Sequence, residues 1–214
     1  TNAVLYILDP KNSDLADLGT VMPNVYHIKE EMIDCVNAFY EGMVQRSEQM
    51  KRHPNYKTGE NYAYLGLPPC FLIFDEYVAF FEMLGTKESV NLLSQLKKIV
   101  MLGRQAGYFL IVACQRPDAK YFSDGIRDNF NFRVGLGRIS ELGYGMLFGS
   151  DVKKQFFQKR IKGRGYCDVG TSVISEFYTP LVPKGHDFLQ TIGSLAQARQ
   201  DGTATCEAKG DGTD

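Results

Sequence analysis

No stretch of the chain approaches the roughly 18 to 20 consecutive apolar residues that a membrane-spanning helix requires. No basic segment followed by an apolar one opens it either. Both absences lead to the expectation of a chain that is soluble by itself. Charge of one sign is also scarce: 24 basic residues face 25 acidic ones, a formal net charge of -1. Bulk electrostatics therefore gives no reason to expect nucleic acid or an anionic membrane as partner, and any such contact has to come from a local patch. Cysteines are few, at Cys35, Cys70, Cys114, Cys167 and Cys206, with no CxxC spacing. An odd number spread through apolar segments suits reduced, buried thiols better than a disulfide framework or a zinc site. The three histidines stand far apart without acidic residues spaced for metal ligation, and no internal repeat is visible.

What the chain does have is apolar residues in short, well-bounded runs. At 214 residues and 44% hydrophobic content it can bury a real core, as one large domain or two small ones. Runs at AVLYILD (3–9), CFLIFD (70–75), YFLIVAC (108–114) and FRVGLG (132–137) read as strands, with weaker ones at GYCDV and VISEFYTPLV. The first three are continuous rather than alternating, the pattern of strands covered on both faces. Between the first two, Met32, Ile33, Val36, Phe39, Tyr40, Met43 and Val44 recur at helical spacing up to KRHP (51–54). Between the next two, Leu92, Leu93, Leu96, Ile99 and Val100 do the same, with Lys97 and Lys98 facing away. Strands alternating with helices predict right-handed crossovers and a mainly parallel α/β sheet flanked by helices. Residues 53–69 lack any period and read as a surface loop. Residues 196–214 are small, polar and glycine-containing, and are expected to form a disordered tail.

Ligands of open parallel sheets bind beyond the carboxyl ends of the strands. The residues there form a consistent set: Asp9-Pro10-Lys11 after the first run, Asp75-Glu76 after the second, Gln115-Arg116-Pro117 after the third. An apolar strand ending in Asp-Glu is the Walker B pattern of P-loop NTPases, in which the Asp holds the nucleotide's magnesium and the Glu orients and deprotonates the attacking water. A solvated strand end reads the same in isolation. The following strand raises the weight of the first reading, because its tip presents an amide, which hydrogen-bonds phosphate and water together without adding charge.

In order along the chain, LDPKNSDL, FLIFDEYVAF, GRQAGYFLIVACQRP and GIRDNFNFRVGLGRIS resemble the motor domain of the FtsK/SpoIIIE DNA translocases, in particular the coupling proteins of Gram-positive conjugative elements. The resemblance covers residues 3 to about 185, and the QRP-ended strand is its most specific part. It implies a RecA-like fold, a homo-hexameric ring that threads double-stranded DNA, and ATP with Mg2+ as cofactors in the complete protein. It further implies Asp75 as the magnesium-side acid, Glu76 as catalytic base and Gln115 as the sensor at its strand end. Arg104 matches the arginine supplied to the neighbouring subunit's nucleotide; its structural alternative is a helix-terminal cation favoured by the helix dipole. Asp9 and Lys11 match the family's DPK, where they either position the nucleotide pocket or terminate the strand.

One departure is large: no GxxxxGK[ST] loop occurs anywhere in the sequence. Nothing here then holds the β- and γ-phosphates. In the family that loop and its helix come just before the strand that opens this chain. The expectation is the C-terminal portion (1–195) of a motor domain, which binds ATP poorly by itself and does not hydrolyse it. A natural nucleotide-free scaffold or docking module, and a type VII secretion ATPase domain acting on protein substrates, stand as alternatives. From 153 to 164 the chain reads KKQFFQKRIKGR, so Lys153, Lys154, Lys159, Arg160, Lys162 and Arg164 are candidate phosphate contacts for duplex DNA, or else one solvated face, with Phe156 and Phe157 anchoring the segment. The resemblance also implies relaxase or secretion-channel partners and a place at the cytoplasmic face of a bacterial membrane, anchored through an upstream segment.

Overall fold

The computed structural model describes residues 2–200 apart from 117–119, 123, 150, 151, 153, 158 and 172. The first three apolar runs form strands β1 (Val4–Leu8), β3 (Cys70–Phe74) and β4 (Tyr108–Val112). With a short β2 (Val25–Tyr26) they make a four-stranded parallel sheet of order β2-β1-β3-β4. Two crossovers carry the helices α1 (Lys29–Arg52) and α2–α3 (Tyr77–Glu82 and Thr86–Ala106). Charge favours α1 at both ends, with Glu30 and Glu31 in its first turn and Lys51 and Arg52 in its last. The N-termini of α1 and α3 are tied by Lys29 Nζ to Glu88 Oε2 at 3.1 Å.

Register decides which residues share a face. Val4, Cys70 and Tyr108 pair across the three strands, as do Tyr6, Leu72 and Leu110, and Leu8, Phe74 and Val112. This face packs on Met32, Val36, Phe39 and Met43 of α1, Tyr77, Phe80 and Phe81 of α2, and Leu92, Leu96 and Ile99 of α3. The opposite face carries Leu5, Phe71 and Phe109 in one row and Ile7, Ile73 and Ile111 in the next, none of them part of that cluster. The expectation of cover on both faces is met in full on one and in part on the other, where Ile7 is 4% exposed and Ile111 47%. Part of the remainder is shielded by the 53–69 segment, which is less detached than a surface loop. Its 3-10 turn (Tyr62–Leu65) lays Tyr62 edge-on against Phe109, itself stacked on Phe71.

Helix α3 ends at Gly107, whose φ of +78° is left-handed and where a Cβ would stand 2.5 Å from the Tyr62 ring. Only glycine fits both constraints, so α3 turns into β4 within one residue.

The later runs do not extend the parallel sheet. β5 (Arg133–Leu136), β6 (Arg164–Asp168) and β7 (Ile174–Tyr178) form a separate antiparallel sheet of order β5-β6-β7. The link from β6 to β7 is five residues, long enough for a hairpin and too short for a parallel crossover. A helix α4 (Asp124–Arg127) precedes β5, and α5 (Glu141–Phe148) packs on this sheet. Tyr144 of α5 stacks on Phe156 at 4.0 Å, and Phe156 meets Tyr166 edge-on at 5.1 Å, building a second core. The chain closes with α6 (Phe188–Gln200), which runs five residues into the segment expected as a tail. The rest of that expected tail, 201–214, lies outside the described residues.

The two faces of the sheet predict different responses. Leu72→Ala, at a site with no exposure, is expected to cost about 2–5 kcal/mol in urea unfolding. Ile111→Thr in the same chain is expected to stay within about 0.5 kcal/mol. Equal losses would contradict an open second face.

Candidate functional site at the carboxyl edge of the parallel sheet

β1, β3 and β4 end level, because Leu8, Phe74 and Val112 are paired residues. Ladder bonds continue one step past the strands: Asp75 N–H donates to Leu8 O at 2.9 Å, Ala113 N–H to Phe74 O at 2.9 Å, and Tyr77 N–H to Ala113 O at 2.8 Å. Asp75 and Glu76 are thus held at the edge by backbone bonds on both sides. Glu76, between two of them, takes φ 55° and ψ 59° and serves as N-cap of α2. A left-handed glutamate costs roughly 1–2 kcal/mol relative to an ordinary conformation. Strain of this kind at a strand end is a mark of functional positions.

The carboxylate of Asp9 has no exposure. Its oxygens accept from Lys11 N–H at 3.1 Å, Ser13 N–H at 2.7 Å, Ser13 Oγ at 2.9 Å and Ala16 N–H at 3.0 Å. That set winds residues 10–16 into a compact loop, with Asn12 left-handed at φ 50°. Asp9 shapes this loop and offers no oxygen to solvent. Lys11 reaches from this loop to Glu76, Nζ to Oε2 at 3.1 Å. The other oxygen, Oε1, accepts Gln115 N–H at 3.0 Å. Ser13 Oγ also lies 3.5 Å from Asp75 Oδ2. Asp9, Lys11, Asp75, Glu76 and Gln115 are therefore brought together, and Ser13, not singled out in the sequence, joins them. Its signal was legible as an Asp at a strand end followed four residues later by Ser, the pattern of a side-chain-closed turn.

Burial pushes the Asp75 carboxyl above its ordinary range, and the neighbouring charges of Asp9 and Glu76 add to the effect. The Ser13 hydroxyl and Lys11 act in the opposite direction. Crowded carboxylates with one lysine among them are the electrostatic condition that a divalent cation relieves. One or two carboxylates completed by phosphate oxygens are what Mg2+ ordinarily takes from a protein.

Arg104 is not brought to this edge. It is exposed in the last turn of α3, before β4 begins, whereas Gln115 lies after β4 ends. Five strand residues at ~3.3 Å each separate the two ends by roughly 16 Å. Within one chain Arg104 and Glu76 cannot meet on one phosphate.

Comparison with known proteins bears on this arrangement. The chain is 54% identical over 209 residues to the FtsK domain-containing protein YdcQ of Bacillus subtilis (strain 168), covering 97% of the chain and 43% of that protein. Nearly the whole chain is thus similar to part of an FtsK domain-containing protein. It spans less than half the length of that relative. No protein-family model matches it. Among solved structures, the pCW3 conjugation coupling protein TcpA, in a monomer form with ATPγS, superposes with a TM-score of 0.70 at 17% identity, over 91% of this chain and 57% of that one. The type VII secretion ATPase EccC of Thermomonospora curvata gives 0.62 at 18% identity, over 90% and 24%. EssC (ATPases 2 and 3) of Geobacillus thermodenitrificans gives 0.61 at 16%, over 94% and 38%. The chain shares its fold with these three proteins.

The described residues of the basic 153–164 segment do not form one face. Lys159, Arg160 and Lys162 are exposed. Lys154 Nζ donates to Ile174 O and lies over the Tyr166 ring, and Lys153 falls outside the described residues. Arg164 departs furthest from its expected role: at 1% exposure it donates to Glu176 Oε1 at 2.7 Å, Phe157 O at 2.7 Å and Tyr166 Oη at 2.9 Å. It braces β6 against β7 and offers nothing to a phosphate. Arg133 is likewise structural, paired with Asp168 at 2.9 Å. Phe156 anchors the segment as expected, and Phe157 is 54% exposed. No helix among the described residues is long and apolar enough to cross a membrane.

The Arg164 pair predicts an acid response. Arg164, with help from the Tyr178 hydroxyl, lowers the Glu176 carboxyl from 4.5 to about 2. A depressed carboxylate stabilises the fold fully above its unfolded value and progressively less as pH falls toward its folded one. The stability gap between the native chain and Glu176→Gln in urea is therefore expected to shrink from pH 6 to pH 3. A gap that stays constant would contradict the pairing.

Proposed function

We propose that the chain is part of an ATP-driven motor domain that moves double-stranded DNA, in conjugative transfer or segregation, and that the carboxyl edge of the parallel sheet is half of its nucleotide site. The observation that carries the reading is the placement of Asp75 and strained Glu76 level with Gln115 at one sheet edge. In this assignment Asp75 holds magnesium from one side and Glu76 takes the proton of the attacking water. The Gln115 amide hydrogen-bonds the terminal phosphate and that water, while its backbone N–H keeps Glu76 aimed. Bound magnesium supplies charge neutralisation to the phosphate oxygens. Arg104, at the far end of β4, serves the site of a neighbouring subunit in a homo-hexamer. Within the 153–164 segment, exposed Lys159, Arg160 and Lys162 contact duplex phosphates.

Two further observations support a partial motor domain. Among the described residues β4 is an edge strand with a partner on one side only, and the second sheet face is apolar yet half covered. A buried parallel strand requires both. In this reading the P-loop portion lies in the remainder of the longer protein. So does a membrane anchor that places the motor at the cytoplasmic face of a bacterial membrane, near relaxase and secretion-channel partners. A second reading has one specific support: the fold matches EccC and EssC nearly as well as TcpA. In that case the same site drives a protein substrate.

ATP turnover, measured with and without duplex DNA on the full-length protein, the 214-residue chain and full-length Glu76→Gln, separates these readings. Hydrolysis is expected only from the native full-length protein, stimulated by DNA and lowered at least a hundredfold by Glu76→Gln, on the scale of losing a general base. Stimulation by a secreted protein and not by DNA would support the second reading. No turnover by any form would leave a scaffold.

A further inference from the structure

Lys11 is ion-paired to the residue assigned above as the base, Nζ to Glu76 Oε2 at 3.1 Å. Both oxygens of Glu76 are engaged, Oε1 by Gln115 N–H at 3.0 Å and Oε2 by Lys11 Nζ at 3.1 Å. Each oxygen keeps a second acceptor site, but an ammonium held on Oε2 competes with water for that oxygen and occupies the space beside it. The Gln115 N–H is backbone, two residues past the last ladder bonds at Ala113, whereas Lys11 donates from the end of a long side chain, so the lysine is the donor freer to move. Its foot is pinned: Lys11 N–H donates to the buried Asp9 at 3.1 Å, Pro10 precedes it, and Asn12 follows in a left-handed conformation at φ 50°. Its head is loose, with the side chain 46% exposed against 13% for Glu76. A fixed base under a four-carbon stem with a mobile ammonium is the build of a pivot.

We propose that Lys11 is a two-position switch: its ammonium holds Glu76 Oε2 while the site is empty and moves to the terminal phosphate of a bound nucleoside triphosphate, freeing that oxygen for the attacking water. The proposal rests on the nucleotide-site reading above. A terminal phosphate carries more charge than one carboxylate oxygen and draws the ammonium away; a nucleoside diphosphate, one phosphate shorter, leaves the pair closed. Hydrolysis is then armed only when the γ-phosphate is present, and Glu76 returns to Lys11 after its loss.

The test is equilibrium titration of the full-length protein with ATPγS and with ADP, each with magnesium, for the native form, Lys11→Met, Lys11→Arg, Glu76→Gln and the Lys11→Met/Glu76→Gln double variant. Lys11→Met is expected to weaken ATPγS about tenfold, as for one lost charge-assisted hydrogen bond, and to leave ADP within about twofold. Lys11→Arg, which keeps the charge, is expected to retain the preference for ATPγS. Because Glu76 competes for the ammonium, Glu76→Gln is expected to tighten ATPγS by about two- to fivefold, the size of a half-exposed ion pair. That gain is expected to vanish in the Lys11→Met background. Equal weakening of ATPγS and ADP, or effects of the two substitutions that simply add, would overturn the switch and leave the nucleotide site standing. A native full-length protein that binds neither nucleotide would overturn both. If Lys11→Met does not fold, Lys11→Gln carries the same comparison.

Discussion

Everything at the candidate site depends on three parallel strands ending in phase. Because Leu8, Phe74 and Val112 are paired residues, the chain segments that follow them emerge side by side. Backbone bonds one step beyond the strands then fix Asp75 and Glu76 before any side chain acts. A slip of one residue would turn the packed face of β3 outward and carry the acidic pair off the edge. The core guards against that slip: Leu8, Leu72 and Phe74 have no exposure and are seated against α1, α2 and α3. The geometry of the candidate site and the core packing are thus one constraint, stated once by the register.

Around that frame the charged groups divide into those that hold and those that remain available. Asp9 is buried and saturated by four donors, so it behaves as part of the scaffold. Arg164 and Arg133 do the same for the antiparallel sheet. Lys11, Glu76 and Asp75 sit at the surface of this scaffold, close enough to one another that each alters the field felt by the next. The left-handed backbone at Glu76 is affordable because the surrounding ladder bonds leave it no alternative.

Much of this was legible in the sequence, and the failures have physical causes. Strand ends announce themselves where an apolar run meets a charge or an amide, so the position of Asp9, Asp75-Glu76 and Gln115 at one edge is legible from the runs alone. The helical stripes of α1 and α3 were equally plain. Depth was not: charge counts treat Arg164 and Lys159 alike, although one is buried between strands and the other exposed. Sheet membership was also hidden, since β5, β6 and β7 carry strand signals that do not say which sheet they join. Two residues of β2 give no periodicity to read. The 53–69 segment has no period either, yet Tyr62 packs on Gly107 and Phe109, a contact made by shape rather than pattern.

The account stands or falls on whether the carboxyl edge is half of a nucleotide site. A structure of the full-length protein with ATPγS and magnesium addresses this directly. The account predicts a magnesium ion against the Asp75 carboxylate, the γ-phosphate facing Glu76 and Gln115, and phosphate-cradling backbone supplied by residues outside this chain. Nucleotide bound elsewhere on the molecule, with Asp75 and Glu76 facing only water, would contradict it.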